Sequence, residues 1–184
     1  ILYFETPGPQ NTDLVLAAVK ERAAELGIKD VVVASTHGAT GLRAARVFRP
    51  MGLNLVAVTI SEGFSSEGWT MIGKERARLE KEGLKVLTCT HALGDDVSSA
   101  FTEKFGGKAP NEIVTQTLYR FCQGMKVCVE IVLMAADAGL IPVEREVIAV
   151  AGTGEGADTA IVVKPTYPRK FLDLEIKEII AKPR

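Results

Sequence analysis

Five short apolar runs punctuate the chain: VVVAS (31–35), LVAVTI (55–60), KVLTCT (85–90), EVIAVAG (146–152) and TAIVVKP (159–165). Each is short, rich in β-branched residues and apolar on both faces, which is the pattern of a strand covered on two sides. Helical periodicity fills most of the gaps. In NTDLVLAAVKERAAELG, Leu16, Val19, Ala23 and Leu26 share one face, Asn11 or Thr12 can cap the start, and Gly27 can cap the end. Further helices are predicted over roughly 41–48, 70–82 and 111–139, the last divided near Gly124 and capped by Gly139.

Strands alternating with helices give a parallel sheet covered on both faces. The fourth and fifth runs break the rule. Only the turn GTGEGAD joins them, whereas a parallel crossover needs about a dozen residues or more. The fifth strand should therefore run antiparallel. Residues 1–10 read as a lead-in with a short strand at Ile1–Phe4, and 92–110 read as irregular. In the tail, Leu172, Leu174 and Ile176 alternate like a strand, while Ile176, Ile179 and Ile180 could share a helix face. An edge strand is the expectation. The chain then parses as a single domain over 1–184, with its core in 11–91 and 120–165, an inserted segment at 92–119 and a C-terminal extension at 166–184.

Composition narrows the classes. The chain has 184 residues, 47% of them hydrophobic, and a net charge of -1. There is enough apolar material for a full core and no basic excess for nucleic acid or an anionic membrane. Cys89, Cys122 and Cys128 are odd in number, lack metal-ligand spacing and sit in apolar or helical contexts. They read as reduced thiols of a cytoplasmic protein. Neither a leader pattern nor a membrane-spanning apolar run is found, so no membrane partner is expected.

In open α/β sheets, ligands bind beyond the carboxyl ends of the strands. The first strand delivers Ser35, Thr36, His37, Gly38, Ala39 and Thr40 there. The second delivers Thr59, Ser61, Glu62 and Gly63, with Phe64 following. The third delivers Thr90 and His91. The fourth delivers Gly152, Thr153, Gly154, Glu155, Gly156 and Ala157. Hydroxyls that donate, glycines that let backbone N–H groups approach, and a helix starting near Thr40 together suit a phosphate. The competing explanation is that these residues only cap the helix and form the turn.

Sharper motifs fail. GTGEGA leads into a strand rather than a helix, so it is not a dinucleotide fingerprint, and no P-loop Gly-Lys-Ser/Thr occurs. His37 is a candidate ligand contact, but a lone histidine without a carboxylate or nucleophile partner within sequence reach is weak evidence for catalysis, and His91 ranks below it. Asp95 and Asp96 read as a solvated loop, and no metal site is expected.

VVVASTHGATGLRAARVFRP resembles the segment of the pyruvate kinase C-terminal domain in which a strand enters a threonine-serine-glycine loop and then a helix ending in Arg-Pro. VIAVAGTGEGADTAIVVKP resembles that domain's later strand, glycine-rich loop and returning strand. GKERARLEKEGLKVL looks like the intervening helix and strand. The resemblance covers roughly residues 11–91 and 120–165. It implies a three-layer α/β/α sandwich on a mixed, mostly parallel sheet with the last core strand antiparallel. It implies a phosphate on Ser35, Thr36, His37, Gly38 and Thr40, with Gly152–Gly156 as a lid.

The departures matter as much. The family's catalytic barrel, its metal-binding carboxylates and its catalytic lysine have no counterpart, so pyruvate kinase activity is not expected. The chain looks similar to stand-alone proteins carrying this domain. Where the kinase loop presents Trp and Arg to a second phosphate, this sequence reads Gly-Thr-Gly-Glu, and Glu155 would repel a second dianion. A monophosphate on a largely uncharged body fits better, with Phe64, Trp69 and Tyr119 available to wall a flat ring. Flavin mononucleotide (FMN) is the leading expectation, partly because flavodoxin-like sheets seat that phosphate on the loop after the first strand. The alternatives are an enzyme using bound flavin or acting on a phosphorylated metabolite, and a regulatory or scaffold subunit. The kinase domain's part in tetramer contacts makes self-association a further expectation.

Overall fold

The computed structural model describes residues 1–184. The strands are β1 (Leu2–Phe4), β2 (Asp30–Ala34), β3 (Asn54–Val58), β4 (Lys85–Leu87), β5 (Val147–Ala151), β6 (Thr159–Lys164) and β7 (Glu175–Pro183). The helices are α1 (Thr12–Leu26), α2 (Ala39–Phe48), α3 (Gly73–Lys81), α4 (Val97–Phe105), α5 (Pro110–Leu118) and α6 (Gln123–Asp137). All seven strands form one sheet in the order β1-β7-β6-β5-β2-β3-β4. β2 pairs in parallel with both β3 and β5, and β3 with β4, whereas β6 runs antiparallel to β5 and β7. The short-turn expectation for β6 therefore holds.

The period-two geometry of a strand sorts the apolar runs into two cores. Val31, Val33, Ile148 and Val150 face α1 and α2, where they meet Val15, Leu16, Val19 and Phe48. Val32, Val147, Ala149 and Ala151 face α6, where they meet Met125, Cys128, Val132 and Leu133. The result is a three-layer α/β/α sandwich. α1 and α2 therefore cover one face and α6 the other, which puts both helix layers beside the carboxyl edge of β2, β3 and β5. No helix is long and apolar enough to cross a membrane.

Several sequence expectations are corrected. Residues 92–110 are not irregular throughout. Asp96 accepts from the Ser99 N–H at 2.9 Å and caps α4. The flanking GDD and FGGKAP suggested an irregular stretch, but the Asp-x-x-Ser start and the helical spacing of Val97, Ala100, Phe101 and Phe105 were legible. The long helical stretch breaks at residues 119–122 rather than at Gly124, which lies inside α6. The tail is a strand, as expected, but not an edge. β7 lies between β6 and β1, and the short β1 forms the edge. Leu172 and Leu174 fall outside it, at a 3-10 turn over Pro168–Asp173. Neither Asn11 nor Thr12 caps α1 through its side chain. The Thr12 hydroxyl instead donates to Pro9 O and accepts from the Ala157 N–H.

Burial pushes the Cys128 thiol above its ordinary pKa of 9.0. The native protein should therefore leave Cys128 unmodified by a thiol reagent at pH 8, while urea exposes it. Because the unfolded thiol ionises first, Cys128 contributes a loss of stability only as pH rises above about 9. Rapid native labelling of Cys128, read by peptide mass, would contradict its placement under α6.

Candidate functional site

A cleft of about 670 Å³ opens over the carboxyl edge of the sheet, within the range usual for small-molecule sites. Its first wall is the turn from β2 into α2. Ser35 is buried, and its Oγ accepts from the Gly41 N–H at 3.0 Å, so this hydroxyl ties the helix start rather than reaching for a ligand. Gly38 adopts φ +88°, a left-handed conformation that lets the chain swing from strand into helix. The backbone N–H groups of residues 36–40 meet no protein acceptor; the helical ladder begins with Leu42 N–H to Gly38 O. The Thr36 and Thr40 side chains line the cleft beside them. Unpaired N–H groups, two hydroxyls and the positive end of a ten-residue helix make a concave donor surface suited to an anion.

His37 lines the same wall, and its Nδ1 lies 3.3 Å from Glu75 Oε2 at the start of α3. His91 lines the cleft from beyond β4 and pairs through Nδ1 with Asp95, whose other contact is the Ser61 hydroxyl at 3.4 Å. Asp95 is the one non-glycine residue with positive φ, at 58°. Each histidine thus has a carboxylate partner, which for His37 corrects the sequence expectation. Glu75 is 38 residues from His37 and Asp95 only four from His91, so the second pair was within reach. Asp95 and Asp96 are correspondingly a histidine partner and a helix cap, not a solvated loop.

The Thr59 hydroxyl is committed within the protein. Arg76 donates to Thr88 Oγ1 at 2.6 Å, Thr88 lies 2.6 Å from Thr59 Oγ1, and Thr59 donates to Ile60 O. Trp69 and Tyr119 line the cleft, whereas Phe64 sits behind Trp69, stacked at 5.5 Å with its ring 17° off parallel. Gly152, Gly154, Glu155 and Gly156 form the wall after β5. Asp158 organises that turn. It is fully buried and accepts from the Thr153 N–H at 3.1 Å, the Gly8 N–H at 3.0 Å and the Thr159 hydroxyl at 2.7 Å.

Of the residues predicted to contact a ligand, Ser35, Thr36, His37, Ala39, Thr40, Thr59, His91, Gly152, Gly154, Glu155 and Gly156 line the cleft. Gly38, Ser61, Gly63, Phe64, Thr153 and Ala157 lie outside its lining and act on the loops behind it. The edge also holds cations that the strand-end inventory did not contain. Arg43, one turn into α2, lines the cleft and pairs with Asp13 at 2.6 Å. Lys126 and Glu130 of α6 line it from the other face of the sheet. Their signal was present in MKVCVEIVLMAA, where two opposite charges four residues apart interrupt an otherwise apolar helix.

The family model of the pyruvate kinase alpha/beta domain matches residues 13–163. Among solved structures, the chain is similar to the pyruvate kinase of Cryptosporidium parvum in complex with ADP, at 16% sequence identity and a TM-score of 0.39. That match covers 82% of this chain and 22% of the other, so the chain spans about a fifth of the length of that enzyme.

Proposed function

The chain belongs to the pyruvate kinase alpha/beta domain family, and from that premise we propose that its cleft binds a phosphorylated small molecule, with FMN as the leading candidate. The observation that carries this reading is the run of N–H groups at 36–40 without protein acceptors, flanked by the Thr36 and Thr40 hydroxyls. A phosphate monoester placed there satisfies donors that have no protein acceptor. Trp69 and Tyr119 offer apolar walls to a flat ring, and Glu155 disfavours a second phosphate on the glycine side. We place the protein in the cytoplasm, with a small molecule rather than nucleic acid as its ligand, and propose self-association of the domain.

Thr36→Val tests the phosphate loop. Thr36 is exposed, so the fold should keep its thermal midpoint. Ligand affinity should fall by about 1.5–3 kcal/mol, the value of a hydrogen bond to a charged group, or roughly 10- to 150-fold in Kd. Unchanged affinity with lowered stability would make the loop a helix cap only. An absorbance spectrum of freshly purified protein, with mass analysis of what denaturation releases, identifies the occupant. Flavin bands support FMN. A colourless phosphorylated metabolite keeps the loop reading and removes the flavin.

A second reading, an enzyme that works through bound flavin or on a phosphorylated metabolite, is favoured by the two carboxylate-backed histidines in one cleft. A carboxylate at Nδ1 fixes the tautomer that leaves Nε2 for proton transfer. Loss of turnover in His91→Asn with ligand affinity retained would select it.

A further inference from the structure

α6 is the most deeply buried helix of the fold, and Lys126 and Glu130 sit one turn apart on it among Met125, Cys128, Val129 and Ile131. Their side chains are 12% and 4% exposed. Lys126 Nζ donates to Glu130 Oε2 at 2.6 Å, and Glu130 Oε1 accepts from the Leu93 N–H at 3.1 Å. Desolvating two charges usually cancels their attraction, and apolar residues of similar volume often serve stability as well or better. Stability alone therefore gives a weak account of an ion pair set into this helix.

Hydrogen-bonding capacity gives a stronger one. An ammonium carries three N–H donors, and Glu130 takes one of them. A carboxylate carries about four acceptor sites, of which Lys126 and Leu93 occupy two. The α6 wall of the cleft thus presents a donor and an acceptor side by side, with capacity left on both. It does so from the sheet face opposite α2, so the cleft has an anion-binding end and a donor–acceptor end. Tyr119, Gln123 and Trp69 complete a lining suited to a planar body.

We propose that Lys126 and Glu130 form a second subsite that reads an imide edge, a ring N–H held between two ring carbonyls, on the ligand whose phosphate sits at 36–40. This rests on the phosphate-ester reading of the cleft. Lys126 donates to the ring carbonyl, and Glu130 accepts from the ring N–H. A sugar phosphate offers hydroxyls that rotate and no fixed donor–acceptor edge, so the pair selects phosphate esters of imide-bearing rings over phosphosugars.

The test is a fluorescence titration of the full chain with FMN and with its N3-methyl derivative, alongside displacement by inorganic phosphate. Methylation removes the ring donor and should weaken binding about tenfold or more, the loss of one hydrogen bond to a charged group. Glu130→Gln turns part of the acceptor into a donor. FMN should weaken by a similar factor, and the methyl penalty should shrink in the variant. The phosphate constant should stay the same. Lys126→Arg retains the charge if Glu130→Gln folds poorly, and it should also weaken FMN and spare phosphate. Equal binding of both flavins, or variants with wild-type affinities, would overturn the subsite alone. Phosphate binding without FMN binding would overturn it and leave the loop standing. Binding of neither would bring down the loop reading and the subsite together.

Discussion

Asp158→Ala should lower the free energy of unfolding by about 3–5 kcal/mol, since each buried donor left without a partner costs roughly 1–3 kcal/mol. Three donors lose their acceptor at once: Gly8 N–H, Thr153 N–H and the Thr159 hydroxyl. The carboxyl group is fully buried, and the three donors come from the N-terminal segment, the glycine turn and β6. The loss falls at the low end of the three separate costs because an opened turn lets water reach Thr153. Domains of this kind are stable by about 5–15 kcal/mol in total, so the variant should unfold at a much lower urea concentration. Asp158→Asn keeps one carbonyl acceptor and should lose about half as much. A loss under about 1 kcal/mol for alanine would mean that water replaces the carboxylate fully.

Gly156→Ala should cost about 3 kcal/mol, and Gly154→Ala about 1 kcal/mol, although both replace a left-handed glycine in the same turn. The shared part is conformational. φ is +69° at Gly156 and +74° at Gly154, and a Cβ in that region costs about 1–2 kcal/mol. The difference is steric. A Cβ at Gly156 would lie 2.5 Å from Pro9 Cα and 2.6 Å from Thr12 Oγ1, whereas at Gly154 it meets open space. Pro9 belongs to the backbone of the lead-in and cannot step aside as a flexible side chain would. Relief requires moving the 3-10 turn at Pro9–Asn11 or breaking the Ala157–Thr12 hydrogen bond. Both displace Pro9, which lines the cleft beside the glycine turn, so ligand affinity should fall with stability in Gly156→Ala and stay near wild type in Gly154→Ala. Equal destabilisation of the two would remove the packing argument. Combined with Asp158→Ala, the Gly156→Ala loss should be less than additive, because both act on the same contact between lead-in and turn.

The sheet was readable because its central strands are apolar on both faces, and VVVA or VIAVA admits few other fates. The antiparallel β6 was readable from loop length alone. What escaped was set by partners far along the chain. β7 is internal because β1 comes from the other terminus to cover it, and nothing within residues 175–183 records that. Arg22 of α1 also clamps Glu178 through bonds of 3.0 and 2.7 Å, a pairing across 156 residues. At the cleft, the loop 35–40 could be named from composition, but composition could not divide its hydroxyls. Ser35 is consumed by Gly41, while Thr36 and Thr40 remain available. The inventory of strand ends missed Lys126 and Arg43 because helices supply them. His37 was judged alone because Glu75 arrives on α3.

The pairing of β1 with β7 has a consequence for the order of assembly. Leu2–Phe4 find their register against Ala181–Pro183, so β1 can pair only after a strand made about 180 residues later has been placed. β7 in turn aligns on β6 through a ladder with register shifts near Ile161 and Val163. Closing contacts of such long sequence separation slows folding. A nascent chain halted before β7 would hold β2, β3 and β5 together while the lead-in, Gly8 included, still lacked the strand that brings it to Asp158. The cleft's glycine wall would then be the final part to set, and ligand capture would report the docking of β7 rather than closure of the central sheet.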